Sequence, residues 1–112
     1  MRHVGNVREG LKQLFQWLTA DRKPVIAQAK KMIEAASHDK MGRDDDKITE
    51  YLVSKGFLKG VALKALTFAH DHYPGKELSR WNVVWGLTRA SQEFDMDRRY
   101  EIDVEAGKLL AV

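Results

Sequence analysis

Three short stretches hold the residue types that do chemistry: Asp44-Asp45-Asp46, His70-Asp71-His72 and RWNVVWGLTRASQEF over residues 80–94. Adjacent carboxylates suggest a divalent cation. With Glu50 placed last in a twelve-residue calcium loop, however, Asp39 comes first, and Met41, Arg43 and Asp44 fall where oxygen ligands or glycine are required. The acidic run instead suits a helix start, where carboxylates accept from free amide N–H groups and face the positive end of the helix dipole. His70 and His72 are candidates for acid–base or metal work. On one helix, side chains at i and i+2 point about 200° apart, so the pair cannot share an ion; as a helix C-terminus it makes ordinary sense. No phosphate loop, nucleophile elbow or i, i+4 histidine pair occurs, so neither catalysis nor a metal or other cofactor is expected.

Trp81 and Trp85 share a helix face with Val84, Thr88 and Phe94. Large aromatics at this spacing either build a core or present an anchor for a protein partner or a stacked base. Arg80 and Arg89 flank them as candidate partner contacts, while Lys23, Lys30, Lys31, Arg98 and Arg99 are candidate phosphate contacts. Solvated helix surfaces with local ion pairs are the plainer account of those cations.

The elements that must position these residues are helical throughout. Val7, Leu11, Leu14, Phe15 and Leu18 recur at helical spacing behind Asn6. Asp21 and Pro24 open a second helix with an apolar stripe of Val25, Ile26, Ala29, Met32, Ile33 and Ala36. Asp44–46 start a third that stops at Gly56, and Phe57 to Ala69 form a fourth whose wide apolar surface implies central burial. After the turn signal Tyr73-Pro74-Gly75-Lys76, Ser79 is placed to cap a fifth, and Asp95 or Asp97 opens a last helix carrying Tyr100, Ile102, Ala106, Leu109 and Leu110. The fold expected is one all-α domain over residues 1–112, a compact bundle of five or six helices. Ile48 to Ala65 has the outline of a helix-turn-helix, but Lys55 and Gly60 depart from its pattern.

Composition narrows the function classes. With 112 residues, 44% hydrophobic and 31% charged, the chain can bury a core, and its net charge of +3 permits DNA binding without arguing for it. There is no Cys, no apolar run of membrane-spanning length, and no apolar stretch in the opening MRHVGNVREG, so a soluble, cytoplasmic protein is expected.

Three phrases carry a family resemblance: RHVGNV at the start; WNVVWGLTRASQEF with Asn82, Trp85, Ala90 and Phe94; and RRYEIDVEAGKLL with Arg99, Glu101 or Glu105, Ala106, Gly107, Leu109 and Leu110. Together they resemble the C-terminal helical region of an uncharacterised phage/plasmid-like protein family encoded by prophages and conjugative plasmids. The resemblance implies mobile-element biology, with recombination or replication as the setting. Longer members carry a further domain upstream, so the chain is expected to be either an excised C-terminal domain or a compact stand-alone relative. The function expected is a noncatalytic module for protein association or self-association. Direct nucleic-acid binding and a small inhibitor of a host defence complex are the alternatives.

Overall fold

A computed structural model describes residues 23–75 and 77–111, in two units, Met1–Lys31 and Met32–Val112. Among the described residues five α-helices follow one another: α1 Lys23–His38, α2 Asp45–Ser54, α3 Lys59–His72, α4 Arg80–Ser91 and α5 Met96–Leu110. No strand occurs among the described residues, only an isolated bridge between Lys40 and Ser79. Over the described residues the all-helical expectation holds. The amphipathic segment from Val7 to Leu18 and the Asp21 cap lie outside the described residues.

Local chemistry sets the helix ends. Asp44 caps α2 by accepting from the Asp46 and Lys47 amides at 3.0 and 3.4 Å, so one member of the acidic run caps and the next two occupy the first turn. Gly56 ends the same helix at φ 102°. Its amide donates to Val53 O and that of Phe57 to Leu52 O, a paired closure that only a left-handed residue permits, with Phe57 and Leu52 meeting in the core. Ser79 and Asn82 form a reciprocal capping box on α4, and Asp95 caps α5. Phe94, expected on the helix of the tryptophans, lies beyond its end in the following turn, where its amide donates to Ser91 O.

In the second unit α3 is the central element. Val61, Ala62, Ala65, Leu66 and Ala69 are all buried, against Ile48 and Leu52 of α2 and Val83, Val84, Leu87 and Ala90 of α4. From α5, Ile102, Ala106 and Leu109 complete this core. The α1 stripe is buried less than its periodicity suggests. Ile26 is 49% exposed, Met32 and Ile33 are half-buried, and Ala36 is fully covered. Periodicity identifies which side of a helix is apolar, not what covers it.

One contact dictates how α3 and α4 meet. A Cβ at Gly86 would collide with the Ala65 carbonyl oxygen and stand 3.0 Å from its carbon and 3.2 Å from Ala69 Cβ. The two backbones approach so closely that only glycine fits. Gly107, also helical, has open space where a Cβ would go. Gly86→Ala is expected to destabilise the fold by about 2–3 kcal/mol through overpacking. Gly107→Ala should instead stabilise it by about 0.5–1 kcal/mol through helix propensity. Urea unfolding of the two variants measures the contrast; equal effects would refute the close approach.

Candidate protein-contact site

α3 and α4 are antiparallel neighbours joined by a short turn, so a step of one turn forward on α4 meets a step of one turn back on α3. Their shared outer edge is a ladder of such steps. Trp85 of α4 stacks on His72 of α3, with ring centroids 4.0 Å apart and planes 13° apart. Tyr73 meets the same indole edge-on at 5.5 Å and 87°. Four residues on, the Arg89 guanidinium lies 4.5 Å above the Phe68 ring, four residues back. A further step pairs Glu93 with Lys64, whose ammonium also stands 6.0 Å from the Phe94 ring. That hydrogen bond and charge hold the Glu93 carboxyl below its ordinary pKa.

The two tryptophans thus separate in role. Both are half-buried; Trp81 packs against the buried cluster, and Trp85 stacks on a histidine at the outer edge. The neighbouring histidines diverge as their helical positions require. His70 Nε2 lies 3.0 Å from both carboxylate oxygens of Asp45 at the start of α2, while His72 turns to Trp85. Among the described residues no three His, Asp or Glu side chains gather as metal ligands.

Arg80 requires a correction. Expected among the surface contacts, its side chain is only 10% exposed. Nε donates to Asp39 Oδ2 at 2.8 Å, and Nη1 donates to the Leu109 and Leu110 carbonyls at 2.8 and 3.0 Å. Those carbonyls belong to the last turn of α5, whose acceptors have no intrahelical donor. A planar guanidinium can serve carboxylate and carbonyls together, so Arg80 ties α4, α5 and the segment after α1 into one piece. It is structural and leaves the candidate surface.

The candidate phosphate contacts fall in both units. Lys30 and Lys31 are exposed on α1 in the first unit; Lys23 begins that helix, and its side chain lies outside the described residues. Arg98 and Arg99 sit on α5 in the second unit, with Arg99 3.9 Å from Asp103. On α5 the cations Arg98, Arg99 and Lys108 are outnumbered by Asp97, Glu101, Asp103 and Glu105. That helix offers a polyanion no net attraction.

The roles of His72, Tyr73 and Phe68 escaped the sequence reading, because their partners lie across a turn rather than along one helix. The usable signal was the short connection through Pro74 and Gly75, which makes antiparallel neighbours of the helices it joins. Comparison of the chain with protein-family models, curated proteins and solved structures finds no match.

Arg80→Ala is expected to cost about 2–3 kcal/mol in chemical denaturation, because it leaves buried α5 carbonyls without a donor. Arg89→Ala removes one half-exposed cation–ring contact and should cost about 0.5–1 kcal/mol. Similar losses for the two variants would contradict the assignment of Arg80 to the scaffold and Arg89 to the surface.

Proposed function

We propose that the chain is a noncatalytic protein-association module that receives its partner on the ridge of Phe68, His72, Trp85 and Arg89. The carrying observation is the cross-helix stacking of Trp85 on His72 beside Arg89 on Phe68. Tryptophan and arginine dominate interface energetics when held rigidly and partly desolvated, and each of these two is already oriented by a ring on the facing helix. Their ordering is therefore largely complete before a partner arrives.

The resemblance to the phage/plasmid-like family supports a mobile-element setting, in which such a module would work beside recombination or replication machinery in the cytoplasm. No described helix is long and apolar enough to cross a membrane. An inhibitor of a host defence complex would use the same kind of face, with the partner's identity separating the two roles. Direct nucleic-acid binding draws support from the ring surfaces, on which bases stack. It is weakened by the charge arrangement, because the neighbouring Lys64 is paired with Glu93 and Arg99 stands beside Asp103.

A photo-crosslinking residue at Gln92, exposed on the turn after α4, samples the ridge, and one at Glu50 on α2 serves as a control. The expected result in cells is a discrete protein adduct from position 92 and none from position 50. Trp85→Ala combined with Arg89→Ala should reduce the adduct at least tenfold while leaving the circular dichroism unchanged, since loss of a hot-spot residue costs about 2 kcal/mol or more. An adduct indifferent to both substitutions, or none at all, would sink the reading.

A further inference from the structure

A second apolar surface lies on α5, on the side of the helix away from the core. Met96 is 77%, Tyr100 71% and Val104 40% exposed, while Ile102, Ala106 and Leu109 of the same helix are buried. Met96, Tyr100 and Val104 follow one another at four-residue steps, and Gly107 and Ala111 continue the row as exposed small residues. The helix therefore has an apolar stripe on each side, and its outer stripe is graded from large side chains at the N-terminal end to small ones at the C-terminal end.

We propose that this outer stripe is an isologous homodimer interface in which α5 of one copy lies antiparallel against α5 of another. A two-fold contact must be complementary to itself, and the gradation meets that condition in the antiparallel sense only. Reversing one helix about the middle of the stripe sets Tyr100 opposite Gly107 of the second copy and Met96 opposite Ala111. Nothing occupies the space above Gly107 where a Cβ would go, so a tyrosine ring has room there. A parallel pair would stack Tyr100 on Tyr100 and leave the glycines facing a void.

Charge on one flank points the same way, while on the other flank Asp103, which would come near Asp103 of the second copy, is engaged by Ser91 and Arg99. Asp97 and Lys108 lie on one flank of the stripe, near its opposite ends. In the antiparallel register they fall on the same side of the interface, within about 3 Å of one another along the axis at 1.5 Å per residue. Lys108 donates to Glu105 at 2.9 Å and keeps two further N–H groups for the carboxylate of the second copy. In a parallel pair each flank faces the other flank of the second copy, so Asp97 and Lys108 of the two copies would not meet. Antiparallel pairing also sets each helix dipole favourably against the other.

The test is sedimentation equilibrium of the full 112-residue chain from micromolar to millimolar concentration. A single helix pair is a small interface, so a reversible monomer–dimer equilibrium is expected, centred at about 0.1 mM. Gly107→Gln fills the tyrosine's space, and its Cβ meets nothing in the monomer. It should weaken dimerisation at least tenfold while the melting temperature holds or rises, which separates loss of the interface from loss of the fold. Asp97→Lys and Lys108→Asp should each weaken the dimer several-fold, and the double exchange should restore it. A strictly monomeric chain, a dimer unaffected by Gly107→Gln, or an exchange that fails to restore association each overturns the proposal. Trp85→Ala with Arg89→Ala should leave this equilibrium unchanged, so the dimer and the partner-binding ridge stand or fall separately.

Discussion

The approach of the α4 backbone at Gly86 to the Ala65 carbonyl on α3 is the contact on which the rest of the second unit depends. Helices separated by large side chains could slide and rotate against each other. Here the absence of a Cβ at one position, together with Ala62, Ala65, Ala69 and Ala90 around the crossing, leaves one close arrangement. Closeness has a consequence at the outer edge. His72 reaches Trp85, and Arg89 reaches Phe68, because their helices are pressed together below them. The ridge is the visible side of a buried small-residue contact.

Arg80 complements this constraint with a polar one. A guanidinium taken out of water is costly unless its donors are satisfied, and Asp39 with the α5 carbonyls satisfies them. The same region is bound through backbone as well: the Arg80 amide donates to Asp39 O and the Met41 amide to Leu78 O. Near the ridge and on α5, polar groups are also engaged locally: Lys64 pairs with Glu93, Lys108 with Glu105, and the His70 ring lies against the Asp45 carboxylate. The second unit also exposes large apolar and aromatic side chains, Leu58, Leu63, Met96 and Tyr100 among them, which association by packing can use.

Most of the helical scaffold was legible in the sequence, because its signals are local. Asp44, Ser79, Asp95 and Gly56 mark helix ends by chemistry acting within a few residues. Burial of Val61, Ala65 and Leu66 follows from the width of one apolar face. The site was legible only in part. Trp85 and Arg89 were recognised by type, but Arg80, identical in type, belongs to the interior because Asp39 and the end of α5 converge on it from distant positions. Gly86 and Gly107 look alike as glycines within helices, and only the facing helix distinguishes the indispensable one. The row of Met96, Tyr100 and Val104 had the same periodicity as a core stripe, so its exposure required knowledge of the neighbours.

The most direct test of association by packing is to titrate the purified chain into labelled single- and double-stranded DNA across a salt series. No stoichiometric complex is expected near physiological ionic strength, and any residual affinity at low salt should show a shallow dependence, because on α5 acidic side chains outnumber basic ones. A tight complex whose affinity falls steeply with added salt, signalling release of several counterions, would contradict the proposed function and return the basic helices to its centre.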